Sequence, residues 1–106
     1  MVELDAFKSE LNTYTEPLKE VRDSLDLENK EKRVEELERE MEAPGFWDNA
    51  ERSQKMMKEL SALKGDMEIY HKLKNQKEEI ELMIEMGYEE NDESVIPDIE
   101  EMMEEF

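Results

Sequence analysis

A chain of 106 residues is long enough for one domain, and 43% charged residues against 37% hydrophobic leave little material for a thick core. The absence of cysteine excludes disulfide staples and thiolate metal sites, and fits a reducing compartment. No stretch approaches the roughly 20 apolar residues that cross a bilayer, and the acidic start, Met1-Val2-Glu3-Leu4-Asp5, is unlike a signal peptide. The expectation is a soluble, cytoplasmic protein with no membrane partner.

The net charge of −18 is unevenly spread. Residues 1–77 hold nineteen acids and all fourteen Lys and Arg, a net of −5; residues 78–106 hold thirteen acids and no base, a net of −13. Such a surface repels phosphate backbones, so direct nucleic-acid binding is not expected of it. Basic protein surfaces or cations are its natural partners, and a merely solvated acidic face is the plain alternative.

In chain order, the first predicted helix runs from about Val2 to Leu25. Leu4, Phe7, Leu11, Tyr14, Leu18, Val21 and Leu25 alternate steps of three and four, a heptad seam. Pro17 falls within it, and a mid-helix proline costs about 3 kcal/mol or more, so a kink is expected near Thr13. Asp26-Leu27-Glu28-Asn29 reads as a short connection. A second helix to about Ala43 carries Val34, Leu37 and Met41 and should pack antiparallel on the first.

Ala43-Pro44-Gly45 breaks that helix, because proline disfavours the α region for the residue before it and glycine takes left-handed turn geometry. Phe46 and Trp47, the only Trp, come directly after and are expected to be buried together as a plug between two helices. Asp48 or Asn49 can cap the next helix, and Asp48 with Glu51 has capping-box spacing. That third helix should run to about Met86 and close at Gly87. Some 38 residues at 1.5 Å each reach roughly 57 Å, beyond the usual globular range.

Met56, Leu60, Leu63, Met67 and Tyr70 keep heptad steps; the seam then slips to Leu73, Ile80 and Ile84. The slip marks a change of partner along the helix: the first half packs on helices one and two, the second half on the residues after it. Gly65 costs about 1 kcal/mol against Ala in mid-helix, and the sequence offers no account of it beyond close packing. Asn91-Asp92 supplies caps for a fourth helix bearing Val95, Ile96, Ile99, Met102, Met103 and Phe106, with Pro97 in its first turn. Phe106 still lies on the apolar stripe, as in a fragment of a longer chain. The expected fold is all-α: an elongated antiparallel helical bundle of three to four helices with one very long helix, coiled-coil-like, in a single domain over 1–106.

The search for chemistry is negative. Glu68-Ile69-Tyr70-His71 has the E-x-x-H spacing of di-iron bundles, but such sites need two copies and His71 is the only histidine. No carboxylate pair adjoins an apolar pocket or loop that would raise one pKa. Calcium loops, phosphate loops, nucleophile elbows and Cys–His pairs are absent. Met56, Met67 and Met102 lie on seams, so the nine methionines read as core filling rather than a peptide groove. No residue is a candidate catalytic, cofactor or metal site, and no enzyme activity is expected of this chain.

The run Leu25 to Lys64 closely resembles the amino-terminal domain of the bacterial peptide chain release factor 2 family. The likeness rests on Leu25-Asp26, Arg33, Leu37-Glu38, Pro44-Gly45-Phe46-Trp47, Asp48, Gln54 and Lys58-Glu59 with Leu63. The Pro-x-Phe-Trp turn is its specific part. Ser53 stands where the family often has Ala, a change expected to alter nothing important. The resemblance implies translation termination. Full-length relatives read UAA and UGA with Ser-Pro-Phe and place a Gly-Gly-Gln loop where water cleaves peptidyl-tRNA. Neither Ser-Pro-Phe nor Gly-Gly occurs here, so codon reading and hydrolysis cannot be carried onto any residue. For this domain the family implies a position near the stalk base of the large ribosomal subunit and interplay with the recycling GTPase factor. Two other functions fit the residues alone: a free-standing acidic coiled-coil adaptor for a basic protein, and an acidic nucleic-acid mimic.

Overall fold

The computed structural model describes all 106 residues, and every regular element is helical. The helices are α1 (Val2–Asn12), α2 (Thr15–Ser24), α3 (Leu27–Met41), α4 (Ala50–Glu90) and α5 (Val95–Glu105), with a 3₁₀ turn at Phe46–Asp48 before α4. All-α is borne out, and so is the very long helix. The first predicted helix is divided into α1 and α2, and the expected order of four helices is otherwise kept. The expected kink lies at Thr13–Tyr14, where α1 ends with the Thr13 and Tyr14 amides donating to the Glu10 and Leu11 carbonyls while Thr13 keeps helical dihedrals. Pro17 then falls in the first turn of α2, where its missing N–H leaves no hydrogen bond unmade.

The chain forms two compact units, Met1–Glu20 with His71–Phe106, and Val21–Tyr70. In the terminal unit, Leu4 and Leu11 of α1, Ile80 and Ile84 of α4, and Val95 and Ile99 of α5 form one buried cluster. Phe7, Met83, Ile96, Met102, Met103 and Phe106 pack around it. Phe106 meets Tyr14 edge to face, ring centroids 5.2 Å apart. The change of partner along α4 is thus present, at Tyr70–His71, but the expected pairing is corrected. Helix one joins the second half of α4, not the first, and α3 is packed in the other unit rather than on α1.

In the central unit, Leu37, Phe46 and Met56 form the buried cluster, with Met41, Leu60 and Leu63 half-buried on it. Ion pairs Lys30–Asp66, Arg33–Glu59 and Lys64–Glu38 show that α3 and α4 run antiparallel there. The connection before α3 is shorter than expected: only Leu25 and Asp26 lie between helices. Asp26 takes a left-handed conformation (φ 52°), and the Asn29 side-chain amide donates to both its carboxylate oxygens.

The far end of α4 corrects the reading of Gly87, which lies inside the helix. Asn91 is the left-handed residue (φ 49°), the Asp92 amide donates to the Gly87 carbonyl and the Asn91 amide to the Tyr88 carbonyl. That pair of bonds is a Schellman closure with Asn in the usual glycine place. Gly87 is needed for another reason. A Cβ there would stand 2.8 Å from Val95 Cγ2 and 2.9 Å from Leu4 Cδ1. Gly65 has nothing within 4 Å of that position, so close packing does not account for it. Gly65→Ala should therefore raise unfolding free energy by about 0.5–1 kcal/mol in a denaturant titration.

Candidate protein-interaction site

The reversal between α3 and α4 is built by its own residues. Pro44 and Gly45 occupy the central positions of a type II turn, with Gly45 at φ 81°, ψ 0° and the Phe46 amide donating to the Ala43 carbonyl at 3.2 Å. Asn49, not Asp48, caps α4: its Oδ1 accepts from the Arg52 amide at 3.1 Å. The capping box expected between Asp48 and Glu51 is not formed.

The two aromatic residues part company at this turn. Phe46 is 2% exposed and sits with Leu37 and Met56. Trp47 is 60% exposed, its ring set edge-on to Phe46 with centroids 4.8 Å apart. The expectation that both are buried fails for Trp47. Successive residues of a 3₁₀ turn point about 120° apart, so one core can take only one of them. Ser53 also does more than expected. It is buried, and its hydroxyl lies 2.6 Å from the Phe46 carbonyl and 2.9 Å from the Asn49 carbonyl, tying the turn to α4.

On the flank of the same unit, Arg33 grips Glu59 through two parallel bonds, Nε to Oε1 at 2.7 Å and Nη2 to Oε2 at 3.1 Å. Its Nη1 also donates to Glu36 at 3.0 Å. The Arg33 hydrogen bond holds the Glu59 carboxyl below its ordinary 4.5, and the same contacts raise the guanidinium further above neutrality. A depressed carboxyl gives stability that is present above its unfolded pKa and lost as pH falls through the folded one. Arg33→Gln should thus lower the thermal midpoint at pH 7, by an amount that shrinks as pH drops below 4.5 and Glu59 takes its proton. The pair is exposed, so the change at pH 7 stays small and falls with added salt.

The second surface lies in the terminal unit. All thirteen acids of residues 78–106 are there, and all but the half-buried Asp92 are exposed. Asp92 accepts from the Ser94 amide at 2.9 Å, and its bonds to Ser94 hold its carboxyl below the ordinary 3.8. Tyr88 donates to Asp5, joining α4 to α1 and pushing the phenol above its ordinary value. An open cleft of about 250 Å³ lies between these helices, lined by Lys8, Asn12, Glu81, Glu85 and Tyr88 over Leu11 and Ile84. Nothing in it pairs a nucleophile with a base. No group of three or more acidic or imidazole side chains gathers as a metal site, around Glu68 and His71 or elsewhere. No helix is long and apolar enough to cross a membrane. What these elements present is surface: an exposed indole at a hydrogen-bonded turn, and helices carrying many carboxylates.

Residues 30–106, which take in the turn, the whole of α4 and the acidic helix α5, match the PCRF domain family. The chain belongs to the PCRF domain family. Its relatives include proteins named peptide chain release factor 2. The one from Staphylococcus saprophyticus is 36% identical over 105 residues, 99% of this chain and 28% of the relative. That from Exiguobacterium is 41% identical over 91 residues, 86% of this chain and 25% of the relative. That from Listeria innocua is 33% identical over 99 residues, 93% of this chain and 27% of the relative. The chain therefore spans about a quarter of the length of the curated relatives it matches. The likeness carried by Leu25 to Lys64 extends across the whole chain. No solved structure matches. The PCRF domain is here an α-helical scaffold in which one helix, α4, serves two cores.

Proposed function

We propose that the chain is the amino-terminal domain of a class I peptide chain release factor, and that it serves translation termination at UAA and UGA codons as an interaction and positioning module. The observation that carries this reading is the PCRF match over residues 30–106 together with relatives named release factor 2. The chain itself has no Ser-Pro-Phe and no Gly-Gly, so codon reading and ester hydrolysis belong to other parts of such a factor. The domain meets the ribosome in the cytoplasm, on the stalk-base side of the large subunit, and bears on the recycling GTPase factor. Exposed carboxylates facing basic ribosomal proteins support that placement, since complementary charge steers encounter and fixes orientation.

The test has two arms. Reading the gene beyond the Phe106 codon should reveal a Ser-Pro-Phe and a Gly-Gly-Gln in frame. Added to ribosomes stalled at UAA with peptidyl-tRNA in place, the 106-residue chain should release no peptide, while a factor carrying both tripeptides should. Release by the chain alone, or an open reading frame lacking both motifs, overturns the reading.

A further inference from the structure

The core of the terminal unit uses one side of α4 only. Ile80, Ile84 and Gly87 face inward, and at 100° per residue the opposite side is centred on Leu82. Leu82 and Met86 stand there one turn apart, 58% and 47% exposed. Glu78, Glu85 and Glu89 lie within about 60° of Leu82 on the same helical projection, all exposed and without a basic partner. The nearest cation on α4, Lys77, turns away to pair with Glu81. Two large apolar side chains held inside a field of like charge differ from the scattered surface leucine that needs no explanation.

We propose that this outer face of α4 docks a basic amphipathic helix of a partner protein, whose apolar stripe covers Leu82 and Met86 while its Lys and Arg side chains meet Glu78, Glu85 and Glu89. Charge selects this occupant over the others. A second copy of the chain brings the same thirteen acids, of which only Glu81 has a basic partner, and is repelled, as is any nucleic acid. A diffuse cation atmosphere would leave the apolar pair in water. A helix with apolar residues at spacings of three and four between basic ones satisfies both halves of the surface. The inference goes beyond the termination reading and does not rest on it; it holds for any partner with that helix.

The test uses two synthetic helical peptides of identical Leu and Lys composition, one with its leucines on a single stripe and one with them scattered. Binding to the intact chain is followed by calorimetry and by amide chemical shifts. The striped peptide should bind at least about tenfold more tightly, a difference of roughly 1.4 kcal/mol, with shifts centred on residues 78–89. The double variant Leu82→Ser/Met86→Ser should lose that preference and keep weak, salt-sensitive binding to both peptides. Ile69→Ser, equally exposed on α4 but outside this face, should behave as the parent. Equal binding of both peptides, or shifts spread over all acids, reduces the surface to a counterion attractor and overturns the proposal. So does self-association in sedimentation that Leu82→Ser/Met86→Ser abolishes, or loss of helical circular dichroism in that variant, which would make the pair structural.

Discussion

Phe46→Ala should destabilise the chain by about 3–5 kcal/mol, whereas Trp47→Ala beside it should cost at most about 1 kcal/mol. The phenyl ring is closed in by Leu37 and Met56, so its removal leaves a cavity in the smaller of the two cores. It also loosens the turn whose Phe46 carbonyl receives the Ser53 hydroxyl. Trp47 gives up one edge contact and otherwise exchanges water for water. A domain of this size has some 5–15 kcal/mol in hand, so the first loss is a large fraction of the total. Urea titration by circular dichroism gives both numbers. In the parent, the indole emission should already be that of a solvated ring and open to acrylamide quenching. A blue-shifted, shielded indole, or equal losses from the two substitutions, would contradict the division of labour at the turn.

The second large effect is expected at Gly87. Gly87→Val should cost about 3 kcal/mol or more, although Gly is a poor helix residue. The added Cβ would meet Val95 Cγ2 and Leu4 Cδ1 at less than 3 Å, and both side chains are themselves packed in the terminal core. Both are side-chain ends enclosed in that core, so neither has open space to turn into. Gly87→Ala should cost less, since its gain in helix propensity of about 1 kcal/mol offsets part of an overpacking penalty of about 1–3 kcal/mol. Set against a gain for Gly65→Ala in the same helix, the opposite signs form a paired measurement. If Gly87→Val matched the parent in denaturant midpoint, the contact of α1 and α5 across α4 would be misplaced.

The residues of both cores are legible in the sequence, because heptad spacing names the inward positions. Leu4, Leu11, Ile80, Ile84 and Ile99 all lie on predicted seams and all are buried. What spacing does not name is the partner. The seam of α1 and the early seam of α4 are interchangeable as patterns, so periodicity alone pairs α1 with the wrong half. Contact between residues distant in the chain decides that. Gly87 misleads for a related reason. As a local signal it ends helices, and the reason for it here, the approach of Leu4 and Val95, comes from other helices. The true terminator, Asn91, has the local signature of a cap for the next helix. At the turn, Pro44 and Gly45 announce the reversal, but two adjacent aromatics cannot both point the same way. Ser53 carries no pattern that could mark it; its importance is visible only through the Phe46 carbonyl. The absence of reactive pairings leaves any site to be read from what the helices leave uncovered.

The change of face along α4 also bears on folding. Between Asp66 and Ile80 no side chain of this helix is buried and none belongs to either core cluster, so the backbone ladder and the helix preference of its residues carry most of that stretch. It is the slack in the molecule. Amide protons there should exchange sooner than those beside Ile84 or Met56, and either end could melt while the other keeps its protection. A single internal proline there would break the helical ladder that runs from one core to the other.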